Sequence, residues 1–211
     1  MMLQVKKTFD PNNIFNQGKI VNTPPMNTSL RYQPGIPTRE IATIFDFSGT
    51  QGIIRAIEKC NGSGDCRKTH RMGGTMCPSY MATLNEANTT RARANLLREY
   101  LTNSPKDNPF DHKELYEVLD LCLMCKGCKS ECPSSVDMTK LKAEFLQHWY
   151  DIHGIPFRNK MVAYITQIYR LGAIFPKFTN LLLSSKVTSF AIKNMLGFAQ
   201  SRALPKLSSI T

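Results

Sequence analysis

The chain has 211 residues and a formal net charge of +11, from 27 Lys and Arg against 16 Asp and Glu. Hydrophobic residues make up 42% and charged residues 20%, which is ordinary globular usage and excludes a wholly disordered chain. No run of about 18 uncharged apolar residues occurs, so we expect no segment that crosses a bilayer. Residues 1–7 lack the apolar stretch of a signal peptide. We therefore expect a cytoplasmic location, where cysteines serve chemistry more often than disulfides.

The first 40 residues contain many turn formers and little periodicity, with clusters at residues 10–13, 24–25 and 34–37. This composition predicts irregular structure. We expect residues 1–38 to form an extended arm that packs on another domain or chain.

Helical patterns dominate from residue 51 onward. We predict a short helix at residues 51–58 and further helices at residues 89–101 and 111–122, the last capped by Asp111. Another helix should begin at residue 135 or 137 and end before residue 154. No alternating apolar and polar run is long enough to predict a strand. We expect a mainly α fold.

Residues 152–211 contain eight Lys and Arg and no Asp or Glu, and apolar residues are frequent from residue 161 to 200. A basic amphipathic helical segment can pack its apolar face on another domain, or it can lie on an anionic membrane surface. We favour the first interpretation and leave contact at the inner membrane face open.

Seven cysteines fall into two groups, and their odd number favours metal ligation over a closed disulfide framework. The first group is Cys60, Cys66 and Cys77, and the second is Cys122, Cys125, Cys128 and Cys132. The second group has the C-x2-C-x2-C-x3-C-P spacing of bacterial iron–sulfur proteins, in which the fourth cysteine ligates the other of two clusters. Zinc is the alternative, but zinc sites usually separate their cysteine pairs by a dozen or more residues.

Local residue types refine this prediction. We expect Gly127 to allow a close approach that a Cβ would prevent. We also expect Cys132 to begin the next helix with Pro133 in its first turn, where a missing amide costs nothing. Cys77 is likewise followed by a proline, Pro78, and should also stand at a helix start.

Reciprocal ligation of two clusters follows from these positions. The first cluster would be held by Cys122, Cys125, Cys128 and Cys77. The second would receive Cys60, Cys66 and Cys132, which is one ligand short. Three alternatives remain: a [3Fe–4S] cluster, completion of the site by Asp65 or His70, or a second site that is not stably filled. Because clusters with thiolate ligands carry negative charge, we expect Arg91, Arg93 and Lys126 to raise their reduction potential.

Around these cysteines the sequence resembles the cytosolic FAD-linked dehydrogenases of D-2-hydroxy acids such as D-lactate, glycolate and 2-hydroxyglutarate. This family fuses a flavin domain of the FAD-binding oxidase type to a ferredoxin-like iron–sulfur domain and a cysteine-rich region. The similar segments are residues 59–60, 64–67, 73–80, 90–94 and 122–133. Residues 8–20 resemble the end of the flavin domain, with Gln17 in place of the family's proline, and residues 153–158 and 202–205 resemble the stretch before the cysteine-rich region.

The resemblance implies a helical ferredoxin-like iron–sulfur domain at residues 39–155, between the arm and a basic helical tail at residues 156–211. It implies one [4Fe–4S] cluster, with a second [4Fe–4S] or [3Fe–4S] cluster left open. The expected partners are a flavin dehydrogenase subunit or domain, which alone would carry FAD, and a cysteine-rich domain or subunit of the Cys-Cys-Gly type. We expect no bound nucleic acid and no catalytic residue in this chain, so the enzyme would be incomplete without its partners.

Two alternatives remain at this point. The chain could be the iron–sulfur subunit of a heterodisulfide-reductase-like or glycerol-3-phosphate-dehydrogenase-like complex, although residues 8–20 favour the hydroxy-acid family. A zinc-containing nucleic-acid-binding module is a third interpretation, based on the net charge of +11 and the cysteines.

Overall fold

The structure is a computed structural model that describes residues 1–30, 32, 35 and 37–208. Two residues of the predicted turn at 34–37, Pro34 and Ile36, lie outside the described residues, as do residues 209–211 of the predicted tail. The fold is 54% helical, and the part of the chain that the structure describes contains no strand. The predicted mainly α fold class is therefore confirmed. The chain divides into two compact units, Met1–Glu40 and Ile41–Thr211. The predicted boundary at residues 155–156, within the second unit, stays a prediction.

The first unit contains helix α1 (Met2–Phe9), followed by turns. Asp10 ends this helix, forms an ion pair with Lys6, and accepts hydrogen bonds from the amides of Ile14 (2.9 Å) and Phe15 (3.0 Å). The prediction of irregular structure throughout the first 40 residues was therefore wrong for residues 2–9. The Lys6–Asp10 ion pair supports this helix, because opposite charges four residues apart stabilise a helix.

Six helices of the second unit lie between residues 53 and 153. They are α2 (Ile53–Glu58), α3 (Pro78–Thr83), α4 (Thr90–Asn103), α5 (Lys113–Asp120), α6 (Gly127–Glu131) and α7 (Met138–His153). Helix α4 packs against α2, α5 and α7. The fully buried side chains at the centre of this packing include Ile57, Leu97, Leu101, Phe110, Leu115, Leu119 and Phe145. These apolar faces hold in place the loops that carry the cysteines.

Most of the predicted helices are confirmed within two residues, and the differences lie at their ends. Asp137 caps α7 by accepting from the Lys140 amide (3.1 Å). Asp111 does not cap α5, which begins after His112, because the Asp111 side chain hydrogen bonds with His153 (2.8 Å) instead.

The prediction that Cys132 begins a helix was wrong. Cys132 ends α6, and Pro133 lies in the turn that follows. Helix α7 begins only at Met138. Ser135 has φ 48° in this turn. Because a right-handed helix requires a negative φ, the helix cannot continue through this residue.

Four more helices follow in the tail: α8 (Phe157–Ala163), α9 (Ile165–Gly172), α10 (Pro176–Ser184) and α11 (Lys186–Leu196). Many large apolar side chains of these helices and their connections are exposed, among them Leu171, Phe175, Leu181 and Phe190. Among the described residues, no helix combines the length and the apolar character needed to cross a membrane.

Candidate metal centre

The N-terminus of helix α4 points its free amides at two of the predicted ligands. Thr89 caps this helix. The next amide, of Thr90, donates to the Cys77 Sγ (3.1 Å), and the following amide, of Arg91, lowers the pKa of Cys66. The first amides of a helix have no partner within it and carry partial positive charge. This helix end therefore stabilises negative charge on both sulfur atoms.

Cys66 and Cys77 also lie close enough to shift each other's pKa, although they were predicted to serve different clusters. The neighbouring Cys77 thiol, helped by the Arg91 amide, lowers the pKa of Cys66. The Cys66 thiol and burial raise the pKa of Cys77. The Cys66 sulfur therefore has thiolate character, which is the form that ligates metals.

The second cysteine group lies between α5 and α7. Cys128 is buried in the first turn of α6, while Cys125 is exposed. Burial raises the pKa of the Cys128 thiol, the Met138 amide lowers it, and the nearby Cys122 and Cys125 thiols raise it further. Met138 is the first residue of α7, so the N-terminus of this helix lies near Cys128, although the Met138 amide itself donates to the Val136 carbonyl (3.2 Å).

A glutamate joins the segment before Cys77 to the second group. Glu131, in the last turn of α6, accepts from the Thr75 amide (2.7 Å), the Thr75 hydroxyl (2.6 Å) and the Met76 amide (3.1 Å). A Cβ on Gly74, at φ +85°, would lie 2.6 Å from the Glu131 carboxylate, and one on Gly127 would lie 3.1 Å from the Thr75 carbonyl oxygen. Gly127 therefore makes its predicted close approach to Thr75, and this packing brings Cys77 near α6, the helix that contains Cys128.

Two buried cations lie beside the cysteine loops. Arg93 is 2% exposed and donates to the carbonyls of Asn88 (2.8 Å) and Val118 (3.0 Å) and to the Ser79 hydroxyl (3.1 Å). It thereby connects α3, which begins beside Cys77, with α5, which leads to Cys122. Lys142 is 7% exposed. Burial lowers its pKa, whereas the nearby Cys122 thiol acts in the opposite direction.

The other predicted site residues occupy less buried positions. Arg91 forms an ion pair with Glu86 (3.0 Å), and Lys126 is exposed at φ 62° immediately before α6. Asp65 pairs with Lys68 (3.1 Å). His70 is exposed in a short turn. These contacts give neither Asp65 nor His70 a direct link to the cysteines.

Cys60 lies two residues after the end of α2, and Cys132 ends α6. All seven cysteines are free thiols. In the described part of the chain, no three His, Cys, Asp or Glu side chains converge as they would around a single metal ion. The division of the cysteines between two clusters stays a prediction.

The donor chemistry fits an iron–sulfur cluster. Free thiols lie near two helix N-termini, and the Thr90 amide donates to the Cys77 Sγ. Amide donors and nearby cations stabilise the negative charge of a cluster with thiolate ligands. The class defined by this fold and donor set is an iron–sulfur protein.

Comparison with known proteins agrees with this class. Residues 59–137, which contain all seven cysteines, match the family described as 4Fe-4S dicluster domain. The chain is 24% identical over 238 residues to the D-2-hydroxyglutarate dehydrogenase of Pseudomonas putida, covering 97% of this chain and 23% of that protein. It is 26% identical over 240 residues to the enzyme of the same name from Escherichia coli, again covering 97% of this chain and 23% of that protein.

The chain thus spans less than a quarter of the length of these curated relatives. No solved structure matches it. The predicted resemblance is confirmed: the chain is similar to part of the D-2-hydroxyglutarate dehydrogenases, and its cysteine region matches the 4Fe-4S dicluster domain.

Proposed function

We propose that this chain is an electron-transfer module that passes electrons, one at a time, from a flavin-bearing partner that oxidises a D-2-hydroxy acid to a downstream acceptor. The observation that carries the proposal is the pair of cysteine groups, each near a helix N-terminus, within a region that matches the 4Fe-4S dicluster family. When bound, a [4Fe–4S] cluster supplies one-electron transfer at a potential that its surroundings adjust.

The residues of this chain would bind and surround that group. Cys122, Cys125, Cys128 and Cys77 are the proposed ligands of one cluster, and the contact between Glu131 and residues 75–76 supports placing Cys77 with the other three. The remaining cysteines, Cys60, Cys66 and Cys132, are the proposed ligands of a second cluster. Because Cys66 and Cys77 lie close enough to shift each other's pKa, the two sites would be neighbours.

Anaerobic purification tests the cofactor. We expect a brown protein with similar amounts of iron and acid-labile sulfide, which dithionite bleaches and which gives a paramagnetic resonance signal once reduced. A colourless protein that contains zinc would instead support the nucleic-acid-binding alternative.

The flavin partner and the substrate class form the second part of the proposal. Oxidation of a 2-hydroxy acid to a 2-oxo acid releases two electrons and two protons. It therefore needs an acceptor of electron pairs and a base beside the substrate. The names of the relatives support D-2-hydroxyglutarate as the first substrate to test.

Reconstitution tests this part. The purified chain alone should not oxidise D-2-hydroxyglutarate or D-lactate, and addition of a cognate flavin subunit should produce reduction of an artificial acceptor. The Cys128→Ser variant should stop electron delivery beyond the flavin while the substrate still reduces the flavin. Turnover by the chain without any flavoprotein would refute the proposal.

The tail, defined as residues 156–211, is the proposed docking surface for the flavin partner or a cysteine-rich partner. Its apolar side chains are too many to be explained as scattered surface residues. The relatives are more than four times longer than this chain, so a polypeptide that could cover these side chains exists in them.

Substitution of exposed tail residues tests docking. The full-length Leu171→Gln, Phe175→Gln, Leu181→Gln variant should keep its iron content but assemble less tightly with the flavin subunit. Unchanged assembly, together with strong sedimentation with liposomes that requires anionic lipid, would support a membrane-surface role and refute docking on a protein.

A further inference from the structure

We propose that Lys142 is a positioning residue for the Cys122–Cys128 loop and the buried countercharge of the cluster bound there, an inference that rests on the proposed function. By countercharge we mean a fixed positive charge that offsets the negative charge of a cluster with thiolate ligands. Sequence patterns did not identify this residue.

Lys142 reaches the cysteine loop from helix α7. Its Nζ donates to the carbonyl oxygen of Cys122 (2.8 Å) and to that of Asp120 (3.0 Å). Asp120 is the last residue of α5, so the ammonium group bridges the end of that helix and Cys122, the first cysteine of the second group. The lysine thereby fixes the direction in which the chain enters the loop.

Burial of the Lys142 ammonium group costs free energy unless an anion lies nearby. Lys142 is 7% exposed, and both of its hydrogen bonds are to neutral carbonyls. Burial of a charge that no opposite charge compensates is strongly unfavourable. Arg93 adds a second buried cation nearby, and its hydrogen bonds are also to neutral acceptors.

The neighbouring carboxylates supply only a small part of the missing charge, because the Asp120 carboxylate attracts Lys142 from an exposed position. Glu144 is fully buried, but it accepts from the amides of Ile44 (2.8 Å) and Phe45 (2.9 Å). Residues two apart on a helix do not face each other, so Glu144 points away from Lys142. Asp120 is exposed and hydrogen bonds to Lys142 through its carbonyl. An anionic cluster on the adjacent cysteines would supply it.

A purely structural role makes a different prediction. A lysine can cap the carbonyls at a helix C-terminus, and in that case a neutral donor would largely replace it. The experiment therefore compares Lys142→Gln, which keeps a donor without the charge, with Lys142→Arg, which keeps both, and with Lys142→Met, which keeps neither. Lys129→Met is the matched control, because Lys129 lies beside Cys128 but is 60% exposed and paired with Asp137.

The full-length chain, purified anaerobically, would be titrated with dithionite while its paramagnetic resonance signal is followed. We expect the Gln and Met variants at position 142 to shift the midpoint potential to more negative values. The Arg variant should stay near wild type, and Lys129→Met should shift the potential less than Lys142→Gln. Loss of the cluster in the Gln and Met variants alone, with helical circular dichroism unchanged, would equally support the inference.

Three results would overturn it. These are a Gln variant with the wild-type potential, a Lys129→Met shift as large as that of Lys142→Gln, or loss of the cluster in the Arg variant as well. A wild-type chain that binds no iron would refute the proposed function itself. If the wild-type chain binds a cluster but the midpoint potential does not depend on the charge at position 142, only the role of Lys142 is refuted.

Discussion

Replacement of Thr90 by proline would remove a single amide donor from the metal centre. Thr90 is the first residue of α4, and its amide donates to the Cys77 Sγ (3.1 Å). Proline is tolerated at the first position of a helix, and it requires an extended residue before it. Thr89 meets that requirement, with φ −89° and ψ 156°. The substitution should therefore preserve the helix while removing the hydrogen bond.

The magnitude follows from the strength of that bond. A hydrogen bond to a charged group contributes about 1.5–3 kcal/mol. If the hydrogen bond to the reduced cluster is stronger than that to the oxidised cluster by about a third of this energy, the reduced form gains about 0.5–1 kcal/mol. For one electron, about 1.4 kcal/mol corresponds to about 59 mV, so the potential should fall by about 20–40 mV. The direction is negative because amide donors stabilise the more negatively charged reduced form.

Proline also removes the threonine hydroxyl, which lies 2.9 Å from the same sulfur. The Thr90→Val variant is the control, since it keeps the amide and the side-chain shape but lacks the hydroxyl. Potentiometric titration of both variants isolates the amide as the difference between them. Equal potentials for Thr90→Pro and Thr90→Val, with equal iron content, would refute the view that the α4 amides stabilise ligand sulfur.

Three further predictions concern the ligands and their support. Cys125→Ser should abolish the better-ordered [4Fe–4S] cluster while Cys60→Ser affects only a weaker second one, so iron quantification showing the same single cluster in both would contradict the assignment. Glu144→Ala should lower the free energy of unfolding by about 1–3 kcal/mol, because two amides lose a buried acceptor. In urea titrations the exposed Glu117→Ala should change it by under about 0.5 kcal/mol, and equal effects would contradict the role of burial. Gly127→Ala should cost about 1–3 kcal/mol by overpacking, and unchanged stability in the same assay would show that the neighbouring loop can move away.

The sequence predicted those features of the site that residue types and spacing encode. The spacing of the second cysteine group indicated an iron–sulfur site, and the match of residues 59–137 to the 4Fe-4S dicluster family confirms that indication. The starts of α4 and α7 were predictable because Thr89 and Asp137 are good capping residues.

Features that depend on tertiary contacts could not be predicted in this way. The similarity at residues 90–94 directed attention to the charges of Arg91 and Arg93, whereas the structure shows the Thr90 amide donating to the Cys77 sulfur. Backbone donors leave no trace in residue type, although a helix that begins 13 residues after Cys77 could have suggested them. Lys142 looks like an ordinary surface lysine in sequence, since only the packing of α7 reveals that it is buried.

Two sets of positive charges, one in the tail and one buried beside the cysteines, should respond differently to ionic strength. Residues 152–211 supply eight of the eleven net charges, mostly on exposed side chains. By contrast, Arg93 and Lys142 are buried beside the cysteines. At 1 M salt the Debye length falls to about 3 Å, and exposed charges are screened far more than buried ones. Raising the salt from 0.1 to 1 M should therefore weaken the electrostatic part of tail docking while the midpoint potential of the bound cluster stays nearly constant. A potential that follows the salt as strongly as docking does would show that surface charge, and not the buried cations and helix N-termini, sets the field at the cysteines.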